Sequence, residues 1–436
     1  MRIAKLLRNL LYKVAPENRL LLENSFFLLV LQGVNYVLPL VTLPYLARVL
    51  EPAKFGVVAF VQAFMQYFIL STDYGFNFSA TREISIYRDD TEKVSQIVST
   101  VSFIKLFFLI VSFLVLLLLT NFFERFRSDA LLYHLAFGIV IGNFMFPTWF
   151  FQGIERMKYV TILNALAKFI FTILIFVFVK EKADYLYVPL MNSLGYLVSG
   201  AIGLWIMLRN FTVRLQIPDK ALILNDLKDS FQFFLSRISV SLYTSSNVFF
   251  LGLLGDDAVT GYYAAAEKLY TALKRLYEPV VNALYPFMAK NKNVRLFKKI
   301  FFLLVGGNLL ICILLLIFNQ SLMRLVYGDG FGPSVGIFNA LVVALILVVP
   351  SMLLGYPFLA ALQHEKYANS SVVISSIFHV MALGIVLFVL RKPYWIAVLL
   401  IITESIALAI RLFGIRREGL WKVSELNVAG ALSQTS

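Results

Sequence analysis

The chain has 436 residues, 60% of them hydrophobic and 15% charged, with a mean hydropathy of +0.80 and a formal net charge of +14. A soluble domain carries about 25% charged residues and under half apolar ones, so this composition excludes water as the main solvent and points to a bilayer. The single cysteine, Cys312, excludes an intramolecular disulfide and a cysteine-based metal cluster; it lies in "LLICILLL" as a small apolar residue.

Residues 1–20 open with Ile3, Leu6, Leu7, Leu10 and Leu11 interleaved with Arg2, Lys5, Arg8 and Lys13. That spacing makes one helical face apolar and the other cationic. An interfacial helix on an anionic leaflet is expected, not a secretory signal, which needs an uninterrupted apolar stretch. A bilayer span takes about 20 mostly apolar residues. Twelve such spans are expected, at roughly 22–47, 55–79, 97–120, 131–152, 160–179, 185–208, 231–254, 258–288, 299–319, 334–361, 367–390 and 393–413. Pro39 and Pro44 in the first span and Pro279 and Pro286 in the eighth are expected kink sites. The longest polar stretch, 209–229, divides the chain into an N-lobe at 21–208 and a C-lobe at 230–413, with a tail at 414–436.

Lysine and arginine in the loops set the orientation. With the N-terminus in the cytoplasm, 24 basic residues fall on the cytoplasmic side and nine on the other. Both termini are then cytoplasmic. The two halves also repeat. "NSFFLLVLQG" from Asn24 matches "DSFQFFLSRI" from Asp229 at an offset of 205, and the same offset sets Gly56 on Gly261, Ala59 on Ala264 and Glu51 on Asp256. Lys158-Tyr159 meets Lys366-Tyr367 at an offset of 208. The expected fold is an all-α integral membrane protein of twelve helices. They form two six-helix lobes related by pseudo-two-fold symmetry about the membrane normal, with a cavity between them.

No G-x-x-x-x-G-K-[ST] occurs to bind ATP, and no H-E-x-x-H to bind zinc. "YGDGFGPSVG", 327–336, fits a loop and helix start. His134, His364 and His379 are far apart in sequence, and His379 on an apolar helix fits a packed or hydrogen-bonded residue. No long outer loop carries paired carboxylates, which argues against a membrane glycosyltransferase or polymerase. No catalytic residue, metal site, bound cofactor or nucleic-acid partner is expected.

What the spans do contain is positive charge. Lys105, Lys168, Arg237, Lys268, Lys274 and Arg275 all fall inside them. A basic residue at a helix centre costs about 2.5–3.5 kcal/mol on insertion scales, unless it faces water or a partner or snorkels to the interface. Glu267 and Lys274, seven apart, come close to sharing a helical face. A wet cationic cavity suits an anionic cargo such as a phosphate or diphosphate head group, held by charge-assisted hydrogen bonds. A drug exporter would favour acids and aromatics instead.

The stretch "PLVTLPYLARVLEPAKFGVVAFVQAFMQYFILSTDYGFNFSATREISI" closely resembles the first two helices of bacterial Wzx-type O-antigen flippases. These belong to the polysaccharide transporter branch of the exporter superfamily that includes MATE transporters. The likeness is close over about 40–87 and continues in "PTWFFQGIERMKYV", "GYYAAAEKLYTALKRLYEPVVNALYP" and the "YGDGF" loop. It implies a MATE-like, alternating-access transporter in the inner membrane. The implied cargo is an undecaprenyl-diphosphate-linked oligosaccharide, carried from the cytoplasmic to the periplasmic leaflet. Membrane lipids, a polysaccharide polymerase and a chain-length regulator are the implied partners. Exporters of capsular or teichuronic repeat units remain open alternatives.

The candidate cargo-binding cations are Arg48, Arg82, Lys105, Lys168, Arg237, Lys268, Lys274 and Arg275. The acids placed to couple or gate are Asp73, Glu267 and Glu404. A proton or sodium ion could be exchanged there, and downhill flipping without any coupling ion fits equally. Asp73 in "STDYGFNFSATREI" could balance a cavity cation when cargo is absent, or cap the broken end of a helix. Arg82 would meet the arriving diphosphate or serve as a positive-inside anchor.

Overall fold

The computed structural model describes residues 16–244, 246–254, 256–390 and 392–422. The proposed interfacial segment therefore lies outside the described residues over 1–15, and the tail over 423–436. Among the described residues all regular structure is helical, and nine helical stretches are long and apolar enough to cross a membrane. Twelve spans were expected, and the difference has identifiable causes. The first two merge into one run, Val37–Tyr87. The seventh falls on Lys220–Thr244 and Ser246–Leu254, on either side of a residue outside the described set, and the eighth on the charged helices Asp257–Arg275 and Glu278–Asn291, with a break between them.

Two compact units form. The first takes the chain up to Leu50 and from Val61 to Ile238; the second takes Glu51–Phe60 and the chain from Ser239 onward. In the first unit, helix α1 (Pro16–Asp73) is followed by α2 (Phe76–Tyr87), α3 (Thr91–Phe122), the short α4 (Glu124–Arg127), α5 (Ala130–Met145), α6 (Thr148–Gly153), α7 (Met157–Phe178) and α8 (Tyr187–Asn210). Helix α9 (Lys220–Thr244) carries the chain to the end of this unit at Ile238, so the second half of the 209–229 stretch read as a linker is helical. Small residues let the backbones close up within this unit. A Cβ on Gly200 would stand 2.5 Å from the Gly142 carbonyl oxygen, and Ser193 Oγ donates to the Leu135 carbonyl at 2.6 Å. Phe76, Ile84, Val98, Phe150, Phe151 and Val160 are among the side chains of one buried core here.

The second unit contains α10 (Ser246–Leu254), α11 (Asp257–Arg275), α12 (Glu278–Asn291), α13 (Val294–Ile317), α14 (Asn319–Tyr327) and α15 (Ser334–Leu354). A π-helical turn, Gly355–Ala360, then leads to α16 (Glu365–Ile385), and a second one, Val386–Leu390, to α17 (Pro393–Arg417). The segment 51–60 packs here because the backbones touch. A Cβ on Gly56 would sit 1.9 Å from the Asp257 carbonyl oxygen, and one on Gly261 would sit 2.0 Å from that of Pro52. Phe55 adds edge contacts to Tyr327 and Phe331, and Phe60 stacks on Phe249. Gly56 and Gly261 are the residues that the internal repeat aligns with each other.

The kinks differ from those expected at the prolines. The one non-helical residue inside α1 is Glu51 (φ 57°, ψ 170°), beyond Pro39 and Pro44. Pro279 stands in the first turn of α12, where its missing N–H costs nothing, so it begins a helix after the break at Leu276–Tyr277. Pro286 lies inside α12. The "YGDGF" segment closes α14, turns through Gly328 and a short 3₁₀ helix at Asp329–Phe331, and leads into α15.

Candidate functional site

The "DYG" of residues 73–75 is where α1 stops. Tyr74 and Gly75 both take left-handed backbone conformations, with φ 45° and φ 86°. Gly75 meets a second constraint: a Cβ there would come within 2.9 Å of Phe233 Cβ and of the Ser230 carbonyl oxygen on α9. Only glycine satisfies both the turn and the close crossing.

Asp73 is therefore the last residue of a helix, where exposed carbonyls already concentrate negative charge. A carboxylate buried there needs cations, and two supply them. Arg237 Nη1 on α9 donates to Asp73 Oδ2 in a close ion pair. Lys105 Nζ on α3 stands 3.6 Å from Oδ1, in ion-pair range but beyond a hydrogen bond. Asp73 and Lys105 are each 2% exposed, whereas the Arg237 side chain is 30% exposed. Lys105 thus does not snorkel, and the cluster of one acid and two bases carries a formal charge of one positive unit.

The supporting shell has a matched design. On α3, Lys105 and Phe108 are three residues apart; on α9, Phe234 and Arg237 are three apart. Such pairs share a helical face. Each helix therefore offers one cation to Asp73 and one ring to Tyr74. The Tyr74 ring stacks between Phe108 at 4.8 Å and Phe234 at 4.9 Å, each tilted by 20°. The α9 stripe begins at Ser230, whose hydroxyl lies 2.7 Å from that of Ser79, and continues through Phe233 stacked on Phe78. The Arg237 guanidinium also lies over the Phe78 ring, 5.7 Å from its centre. Asp73 does not serve as a helix cap; its oxygens face cations.

The structure thus brings together three of the sequence-predicted residues: Asp73, Lys105 and Arg237. Arg48 is exposed near the end of the first half of α1, and Arg82 is exposed on α2, outside the set of partners of Asp73. Lys168 is half-buried on α7. Nearer the start of α9, Asp226 is pushed up to about 7 by burial and by the neighbouring charges of Glu83 and Asp229, with Lys93 opposing.

In the second unit, Glu267 and Lys268 are half-buried neighbours on α11, each acting on the other's charge. Lys274 has Glu278 as its acidic neighbour instead of Glu267, because the break at Leu276–Tyr277 brings the start of α12 alongside. Arg275 is exposed, and Glu404 is buried on α17 within electrostatic reach of Arg411.

Two further polar side chains are buried in the second unit. His379 lies fully buried and links three helices, with Nδ1 at 2.9 Å from Thr403 Oγ1 and Nε2 at 3.0 Å from Asn247 Oδ1. This is the packed, hydrogen-bonded role expected of a histidine on an apolar helix. Arg411, one of the 24 basic residues counted on the cytoplasmic side, lies inside the last span and is buried. Its spacing of seven from Glu404, two helical turns on one face, was the missed clue.

Comparison with known proteins follows the same lines. Residues 21–292 match the family described as polysaccharide biosynthesis protein. The chain is 30% identical over 411 residues to an Escherichia coli (strain K12) protein named "Putative O-antigen transporter", covering 91% of this chain and 97% of that one. A Shigella dysenteriae protein of the same name is 31% identical over 270 residues, 62% of this chain and 67% of the other. Among solved structures, the lipid II flippase MurJ superposes with a TM-score of 0.71 at 12% identity, covering 91% of this chain and 87% of its own. An inward-facing multidrug resistance MATE family transporter of the MOP superfamily superposes at 0.66 and 15% identity, covering 89% and 96%. At such identities the likeness is one of fold. The chain therefore belongs to the polysaccharide biosynthesis protein family, as a multi-pass membrane protein with a MATE-like fold.

Proposed function

We propose that the protein is a flippase that carries an undecaprenyl-diphosphate-linked oligosaccharide, an O-antigen repeat unit, from the cytoplasmic to the periplasmic leaflet of the inner membrane by alternating access. The observation that carries this reading is the buried Asp73–Lys105–Arg237 cluster at the break after α1. Its net positive charge suits an anionic head group. Asp73 occupies both cations when no cargo is bound. An arriving diphosphate competes for Arg237, the most exposed of the three, through bidentate charge-assisted hydrogen bonds that a guanidinium is shaped to make. The O-antigen transporter relatives and the shared fold with a lipid II flippase support the class of cargo.

In this reading twelve spans form two six-helix lobes, 21–208 and 230–413, and both termini are cytoplasmic. Arg48, Arg82, Lys168, Lys268, Lys274 and Arg275 add to the cationic route. Asp73, Glu267 and Glu404 are the acids that could exchange a proton or sodium ion against cargo. A polysaccharide polymerase and a chain-length regulator would receive the product.

The test is reconstitution in liposomes that carry a fluorescent undecaprenyl-diphosphate oligosaccharide on one leaflet, with and without a proton or sodium gradient. Head-group-dependent translocation is expected, with tail-only lipid left in place. Failure of the folded protein to move a correct donor glycan would sink the flippase reading. The response to each gradient separates coupled from downhill flipping.

A further inference from the structure

The cluster around Asp73 belongs to the first unit. The second unit holds an open cavity of about 320 Å³ in the connection between α13 and α15. Small-molecule sites begin at about this size, near 300 Å³. Gln320, Ser321 and Arg324 on α14, and Asp329 and Gly332 in the turn that follows, line it. The floor is built from buried side chains. Met323 and Tyr327, four residues apart and so on one helical face, are both buried, while Gln320 and Arg324, also four apart, are exposed. Tyr327 donates its hydroxyl proton to the Ala265 carbonyl at 2.8 Å. Phe331, 1% exposed, meets Tyr327, Tyr262 and Phe55 with ring centres 5.4, 6.2 and 5.7 Å away. Asn319 Nδ2 donates to Asn339 Oδ1 at 3.0 Å and ties the start of α14 to α15. The polar rim therefore stands on a fixed base.

The rim sets donors beside acceptors. Gly328, at φ 87° and ψ −179°, takes a backbone conformation open essentially to glycine alone, and the turn it makes returns Asp329 to Arg324. Arg324 Nε pairs with Asp329 Oδ1, and the two side chains are 77% and 78% exposed, so a ligand can share the pair. As a whole the pair is neutral. The Gln320 amide and the Ser321 hydroxyl add further donors and acceptors. A diphosphate would meet the Asp329 carboxylate as well as the guanidinium, and the like charges repel. A neutral hydroxylated ring is better matched, because each of its hydroxyls both donates and accepts. The location agrees. Helix α13 has 24 residues and is about 36 Å long, enough to cross the hydrocarbon layer. The cavity follows its far end, across the bilayer from Lys290, Lys292, Arg295, Lys298 and Lys299 around its start. That is the outer side in the orientation read from loop charge.

We propose that this cavity is a sugar subsite, in which Gln320, Ser321 and the Arg324–Asp329 pair bind one neutral pyranose ring of the cargo's glycan on the outer side of the membrane. This rests on the flippase reading and its orientation, and it gives the glycan, as distinct from the head group, a point of contact. The four polar side chains are binding residues; Tyr327, Gly328 and Phe331 position them.

The full-length protein in phosphatidylcholine nanodiscs is titrated with the methyl glycosides of glucose, galactose, N-acetylglucosamine and rhamnose, read by saturation-transfer NMR. Wild type is compared with Gly332→Phe, Asp329→Asn and Gln320→Ala. Gly332 lines the cavity, and an added Cβ there meets only the Asp329 carbonyl oxygen, at 3.9 Å, so a larger side chain can occupy the cavity without pressing on the fold. Transfer to at least one glycoside is expected in the wild type. Affinity should fall about tenfold or more in Gly332→Phe and several-fold in Asp329→Asn and Gln320→Ala. Inorganic pyrophosphate should leave the sugar bound. No transfer to any of the four glycosides, or equal transfer in wild type and Gly332→Phe, overturns the proposal. Should Gly332→Phe fail to fold, equal transfer in wild type, Asp329→Asn and Gln320→Ala overturns it instead. Displacement by pyrophosphate assigns the cavity to an anion and overturns the sugar assignment. The liposome assay separates the two claims. A wild type that binds glycoside and does not translocate removes the flippase reading, whereas one that translocates and binds no glycoside removes only the subsite.

Discussion

Asp73 sits at the carboxyl end of a helix, buried to 2% exposure, and is held there by Lys105 and Arg237. Removing one member of a buried ion pair typically costs about 3–5 kcal/mol, because the partner is left charged and unpaired. Asp73→Asn strands Lys105 most severely, since that side chain is the more deeply buried of the two cations. A marked loss of thermal stability is expected in the single variant, and most of it should return in Asp73→Asn with Lys105→Met. Thermal unfolding in detergent checks this; equal stability in wild type and single variant would show the pair to be inert. Asp226 makes a second prediction at this scale. Its folded-state pKa of about 7 lies above the ordinary carboxylate value, through burial and the charges of Glu83 and Asp229. Folding therefore favours the protonated form. Stability from this group is full at low pH and is lost as pH rises from about 4 through about 7. Asp226→Asn should raise the melting temperature at pH 8 and leave it unchanged near pH 4. A gain of the same size at both pH values would contradict the assignment.

Between elements, contact depends on residues that carry almost no side chain. Gly56 and Gly261 bring the segment after Glu51 and the start of α11 so close that a methyl group on either meets backbone oxygen at 2.0 Å or less. Backbone cannot swing aside as a side chain can. Overpacking a well-filled contact costs about 1–3 kcal/mol, and alanine at either position is expected at or above the top of that range. Parallel melts of Gly56→Ala, Gly261→Ala and the more open Gly306→Ala test it, with the last expected near wild type because nothing stands within 4 Å of its added methyl. Gly75→Ala faces both a left-handed φ and the crossing of α9, so it should disturb the Asp73 cluster itself. The α9 stripe Ser230, Phe233, Phe234 and Arg237 was present in "DSFQFFLSRI" as an i, i+3, i+4, i+7 pattern. Its partners were not, because nothing local to that decapeptide says which helix it meets.

Over the whole molecule, composition and hydropathy decided the most. An apolar fraction of 60% and runs of about 20 apolar residues dictate membrane helices, since only a helix or a closed barrel satisfies its backbone in lipid. The family resemblance was equally legible, and the match over residues 21–292 agrees with it. Spans are harder to count where charge interrupts hydropathy, as in α9, α11 and α12, because a sliding apolar pattern records composition and not continuity. By itself the sequence determined the solvent, the helical class, the family and the presence of charge within the spans, all of which are properties of residues summed along the chain. Only the tertiary structure decided which charges meet. Lys105 and Arg237 lie 32 and 164 residues beyond Asp73, and Arg411 lies 40 and 60 residues from Ser371 and Ser351, which accept its hydrogen bonds. Ion pairing falls off within a few ångströms, so it follows distance in space, and the packing of helices sets that distance.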